Sequence, residues 1–141
     1  MHYAIVENGV VTNIVVADSP LDPTWVQDDG TARIGGTWDG QKFHDKVKTR
    51  DELYNEIVSA TQARLDAFAR TRSYDGILSA TTYANSPTEK FQIEGKYCLQ
   101  QRDATWASLL QMLAEVDAGT RPVPSGYADV EKDLPPLVWP N

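Results

Sequence analysis

The sequence is poor in the residue types on which many functions depend. It holds one cysteine, Cys98, in 141 residues. That excludes an internal disulfide framework and a cysteine-based zinc site. Its two histidines, His2 and His44, are too few to assemble an all-protein zinc site readily. Basic residues are also scarce: 13 Lys and Arg stand against 20 Asp and Glu, a formal net charge of −7. Nucleic-acid affinity comes mainly from Lys and Arg neutralising phosphate, so no nucleic-acid partner is expected. The same deficit argues against docking on anionic lipid. The longest apolar run is residues 14–17, far short of the roughly 20 that a membrane helix needs, so no membrane partner is expected either. Met1-His2-Tyr3-Ala4 lacks a basic stretch, a long apolar region and a small-residue cleavage site, so no signal peptide is expected. What is present is a core-forming composition: 41% hydrophobic, with six Tyr and four Trp.

Three zones differ in pattern. In residues 1–45, two β-rich runs flank Asn8-Gly9. Asn-Gly between such runs is the strongest short hairpin signal, because both central residues of a type I′ turn need positive φ. Trp25-Val26-Gln27 reads as a short strand, and Asp39-Gly40 as a second hairpin turn before Phe43. The zone reads as a four- or five-strand antiparallel module with Trp25, Trp38 and Phe43 on its packed face. A module of about 45 residues without metal or disulfide is marginal alone, so it should dock on something.

Residues 46–119 read as helical. Thr49 and Glu52 have the spacing of a capping box, and no Gly or Pro interrupts residues 49–72. Leu53, Ile57 and Phe68 recur at helical spacing. Residues 77–84 form a second, short apolar helix. Ser86-Pro87-Thr88-Glu89 offers Ser at N-cap, Pro at N1 and Glu at N3. Phe91, Cys98, Arg102, Trp106, Leu109, Leu110, Leu113 and Val116 then repeat on one side until Gly119 supplies the stop. The helical core is therefore expected at Leu53, Ile57, Phe68, Phe91, Cys98, Trp106, Leu109 and Leu113. Residues 120–141 hold five prolines and cannot be a continuous helix. Their apolar end, Leu134-Pro135-Pro136-Leu137-Val138-Trp139-Pro140, reads as an extended arm lying on the helices or on a partner. The expected class is α+β: a small antiparallel module, a long-helix hairpin and a Pro-rich arm.

Candidate chemistry yields to simpler readings. His44 with Asp39 and Asp45 is better explained as a charged strand end than as a metal cluster. Cys98 falls on an apolar helical stripe, where cysteine behaves as a small hydrophobe. Arg64, Arg70, Arg72 and Arg102 suit helix–helix salt bridges, and Arg102 suits a buried bidentate carboxylate pair. Tyr74, Tyr83, Phe91, Tyr97 and Trp106 read as core more readily than as a ligand pocket. Glu89 and Glu94 are the only carboxylates worth testing for hydrolysis, and capping accounts for Glu89. No catalytic residue, metal or cofactor is expected. Trp25, Trp38, Phe43, Leu137 and Trp139 are candidate partner anchors.

The opening Tyr3-Ala4-Ile5-Val6-Glu7-Asn8-Gly9-Val10-Val11-Thr12-Asn13-Ile14-Val15-Val16-Ala17-Asp18, with Ile34-Gly35-Gly36-Thr37-Trp38-Asp39-Gly40 downstream, resembles an N-terminal module of tailed-bacteriophage tail proteins. The helical half is similar to the same proteins through Arg70-Thr71-Arg72-Ser73-Tyr74-Asp75-Gly76-Ile77-Leu78-Ser79, Glu94-Gly95-Lys96-Tyr97-Cys98 and Gly119-Thr120-Arg121-Pro122-Val123-Pro124. Thr81 departs from the pattern, where Cys is expected. The resemblance implies a tail-fibre or baseplate partner, synthesis in the host cytoplasm, and a place in the virion tail if the protein is retained. It implies self-association too, with a trimer favoured by the fibre context. A structural adaptor, a transient fibre chaperone and a receptor- or glycan-binding module are the competing roles.

Overall fold

A computed structural model describes residues 1–141 and shows an α+β chain. It divides into two compact units, Met1–Thr49 and Arg50–Asn141. The arm expected as a separate segment, 120–141, thus belongs to the helical unit.

The first unit is a five-stranded antiparallel sheet of β1 (His2–Glu7), β2 (Val10–Val16), β3 (Trp25–Gln27), β4 (Thr37–Trp38) and β5 (Phe43–His44), in the order β3-β1-β2-β4-β5. Asn8 and Gly9 adopt φ of 52° and 78°, the positive pair that the tight β1–β2 hairpin requires. The register skips at β2: Ile5 faces Asn13 but Val6 faces Val11, leaving Thr12 as an extra residue. Ala4, Val11 and Ala32 form the core, with Val6, Ile14 and Phe43 against them. The Asp28 carboxylate seats Ala32 by accepting its N–H and that of Gly30, both at 2.9 Å.

Trp25 corrects the sequence reading. It stands opposite Ile5, while its neighbour Val26 stands opposite Ala4. Residues directly opposite share a face. Trp25 therefore lies on the face away from the Ala4 core, 6.2 Å from the Tyr3 ring centroid. Trp38 and Phe43 do share the core face, with centroids 4.5 Å apart.

The second unit contains α1 (Arg50–Arg70), α2 (Ile77–Thr81), α3 (Glu89–Asp117) and α4 (Ala128–Glu131). At 29 residues, α3 is about 43 Å long. Arg50 at the start of α1 bonds Asp117 at the end of α3, at 2.9 Å. Arg72, just past α1, bonds Glu94 near the start of α3, at 3.1 Å. The two long helices are thus antiparallel, with α2 packed against both at their turn. Leu65, Ala69, Tyr74, Ile77, Ala80 and Cys98 form the core there, with Phe68 and Trp106 against it.

Two contacts set α2. Its first amide, that of Ile77, donates to Asp66 Oδ1 on α1 at 2.9 Å. A carboxylate at a helix N-terminus is favourable there. A Cβ on Gly76 would lie 2.8 Å from the same oxygen, so glycine makes room for this long-range cap. At its other end, a Cβ on Gly95 of α3 would lie 2.5 Å from the backbone of both Tyr83 and Ala84.

The α1 terminus is closed by the Ser73 N–H to Arg70 carbonyl bond and the Tyr74 N–H to Ala69 carbonyl bond, with Ser73 at φ 69°. This pair of bonds normally ends on glycine, and Gly119 plays that part for α3 at φ 77°. Ser73 is exposed. Ser73→Gly is therefore expected to stabilise the fold by about 1 kcal/mol, since it removes the left-handed penalty. A raised urea midpoint checks this, and an unchanged or lower one counts against it. At the start of α3, the Ser86 hydroxyl accepts the Thr88 N–H at 3.1 Å, but regular helix begins only at Glu89.

Phe91 is a second correction. It is 40% exposed and meets only the edge of Tyr83 among the aromatic rings. The first turn of α3 runs past the end of α1, so nothing on α1 covers it. Leu110 is 71% exposed. It lies about 120° around the helix from Cys98, outside the packed stripe. Ile57 and Leu109 pack with Met112, Val130 and Leu134 in a further cluster. Leu53 and Leu113 are half-buried.

Candidate functional site

The densest group of side-chain interactions lies where the C-terminal arm crosses α1 and α3. Arg64 and Phe68 lie on one side of α1 by helical spacing, Thr71 follows just past its end, and Tyr97 faces Phe68 from α3. Arg64 Nη2 donates to the Pro135 carbonyl at 2.9 Å. The Tyr97 hydroxyl accepts the Val138 N–H at 2.8 Å. The Trp139 ring stacks on Phe68 with centroids 4.1 Å apart and planes 19° from parallel. Its indole N–H donates to Thr71 Oγ1 at 2.9 Å, while the Thr71 hydroxyl donates to the Phe68 carbonyl. Arg72 lies over the indole, 5.3 Å from the ring centroid, a cation–π geometry. Leu137 packs on the same core.

Below the arm is a polar centre. Glu94 is 4% exposed. Its two carboxylate oxygens take Arg72 at 3.1 Å and the Tyr74 hydroxyl at 3.4 Å. Burial, then the Glu94 charge, pushes Tyr74 up to about 12. The same two causes push Cys98 up to about 11. The thiol is protonated at neutral pH, which suits a packing role and not a nucleophile. An open cleft of about 400 Å³ adjoins Glu94, lined by Arg72, Glu89, Lys90, Ile93 and Pro140.

These shifts make a prediction. Tyr74 and Cys98 bind their protons more tightly in the folded chain than in the unfolded one. Their contribution is complete below pH about 9 and is lost as pH rises through 11 to 12. The urea midpoint is expected to fall between pH 8.5 and 11, and Tyr74→Phe to shallow that fall. An equal fall in both proteins would remove Tyr74 from the explanation.

His44 and Asp39 do meet, at 2.7 Å. Asp39 also accepts the Gln41 and Lys42 N–H groups at 2.8 Å, closing the β4–β5 turn. The His44 bond, then those amides, holds the Asp39 carboxyl well below the usual carboxylate range. Arg102 is a correction: it has no carboxylate partner, and its Nε is buried without an acceptor. Trp25, Trp38 and Phe43 are half-buried, whereas Met1, Val16, Leu21, Ile34 and Val47 are widely exposed apolar residues of the sheet unit. Leu137 and Trp139 are occupied by their own chain.

The sequence reading missed Glu94 as the partner of Arg72 and Tyr74, since 20 or more residues separate them. The signal that pointed to the arm's seat was a Trp inside an apolar Pro-rich stretch, which is atypical of a solvated tail. No family model, curated protein or solved structure matches the chain.

Proposed function

We propose that this protein is a non-enzymatic component of a bacteriophage tail, associated with the tail fibre or baseplate as a structural adaptor or fibre-assembly protein. The likeness of its sheet-unit and helical stretches to tail proteins supplies the context. The observation that carries an interaction role is the surface of the sheet unit. Val16, Leu21, Ile34 and Val47 are 64–87% exposed on a unit of only 49 residues. A unit this small, without a disulfide or a metal cluster, is marginal alone, which suits docking on a partner to which these side chains are accessible. The named partner is a fibre or baseplate protein, and the two roles differ in whether the protein stays in the particle.

Co-expression with the tail-fibre protein of the same phage, followed by co-purification, tests the reading. A complex weakened by Leu21→Ser and Ile34→Ser is expected. Mass spectrometry of finished particles then separates the roles: a fixed copy number means an adaptor, and absence means a chaperone. No complex with fibre or baseplate proteins, together with saturable binding to host cells, would overturn the proposal in favour of receptor binding.

A further inference from the structure

We propose that the outer flank of α3 is covered by the same flank of a second copy, in a parallel α3–α3 pair. This goes beyond the tail reading and does not depend on it. Successive residues turn about 100° around a helix. On that wheel, α1 takes the side of α3 that carries Cys98, Thr105 and Met112, all buried. Tyr97, which holds the arm, falls about 100° to one side of Cys98. Leu99, Trp106, Leu110 and Leu113 fall about 60–120° to the other side, so the arm and this flank are kept apart. The close approach of α2 is at Gly95, at the head of the flank. Beyond it, Leu99 is 47% and Leu110 71% exposed.

The flank has the spacing of a coiled-coil seam. Leu99, Asp103, Trp106, Leu110 and Leu113 follow one another in steps of four and three, a repeat of seven. Over about 21 Å of helix, that repeat keeps the stripe turned toward one neighbouring helix. Its charges choose the neighbour. Arg102 has no carboxylate partner in its own chain, and its Nε is buried without an acceptor. Asp103 beside it is exposed and has no cation. The two stand on opposite edges of the stripe, about 40° and 140° from Cys98. A two-fold axis along the helix brings unlike edges together at one height. Arg102 then meets Asp103 of the second copy, and Asp103 meets its Arg102. An antiparallel pair brings like edges together and leaves both charges unmatched. A wholly apolar helix of another protein would cover the leucines and strand Arg102. The parallel second copy answers the apolar stripe and both charges at once.

Sedimentation equilibrium and native mass spectrometry of the full-length chain at rising concentration test this. The parent is expected to dimerise. Leu110→Lys alters an exposed side chain and is expected to weaken the dimer at least tenfold, with the circular dichroism spectrum unchanged. Asp103→Lys makes both edges of the stripe basic, and Arg102→Glu makes both acidic. Each alone should dimerise at least tenfold more weakly than the parent. Mixed at equal concentration, the two should form a heterodimer in preference to either homodimer. If Arg102→Glu does not fold, the two variants at exposed positions, Asp103→Lys and Leu110→Lys, decide the matter by themselves. A parent that stays monomeric at every concentration would overturn the proposal. So would a dimer that both exposed-position variants leave intact.

Discussion

Gly95→Val is expected to destabilise the helical unit by about 3 kcal/mol or more, at the upper end of overpacking costs. The reason is the material that the new side chain meets. A Cβ alone would lie 2.5 Å from Ala84 N and Tyr83 C, and 3.0 Å from Ala80 O. All three are backbone atoms, so no rotamer change relieves the clash. Either α2 moves off α3 or α3 bends, and both moves open the core around Ala80 and Cys98. Urea denaturation followed by far-ultraviolet circular dichroism measures the loss. A midpoint within error of the parent would show that the α2–α3 approach is looser than described.

Arg72→Ala carries the second large effect, about 2–3 kcal/mol. Removing one partner of a fully buried pair costs about 3–5 kcal/mol because the other charge is stranded. Here the Glu94 side chain is 5% exposed but that of Arg72 is 41% exposed, so water already offsets part of the interaction. The substitution leaves Glu94 with only the Tyr74 hydroxyl and strips the cation from the Trp139 ring. Uncovering the Trp139 ring where Arg72 lies over it should appear as a red-shifted tryptophan emission. A double-mutant cycle with Glu94→Gln isolates the pair. Additive losses would mean that Arg72 acts through Trp139 and not through Glu94.

The readable parts of the fold were those encoded locally. Asn8-Gly9 names its own turn, and Gly119 its own helix end, because φ preference belongs to the residue itself. The α1 and α3 stripes were legible because burial along one helix face repeats at a fixed spacing. What escaped the sequence was set by partners distant in the chain. Trp25 has the composition of a core residue, and its face is decided by the register of β3 on β1. Phe91 continues the α3 stripe, but the neighbouring helix has ended. Ser73 ends α1 in a conformation that glycine normally supplies, so residue type gave no warning. Of the candidate site, the arm's need for a seat was legible from its Trp, Leu and Val. The seat itself was not, because Arg64, Phe68, Thr71 and Tyr97 become one surface only when α1 and α3 lie side by side.

The extra residue in β2 gives the sheet unit a reading frame. Along an unbroken strand, inward positions fall on every second residue. Val11 and Ile14 are three apart, yet both serve the same core, because Thr12 shifts the phase between them. The strand is in effect two short messages, one led by Val11 and one by Ile14, joined by a single spacer residue. Loss of Thr12 would leave Val11 and Ile14 two apart in a plainly alternating strand, both still facing the core. The exposed spacer bends the strand without deciding which side chains face inward.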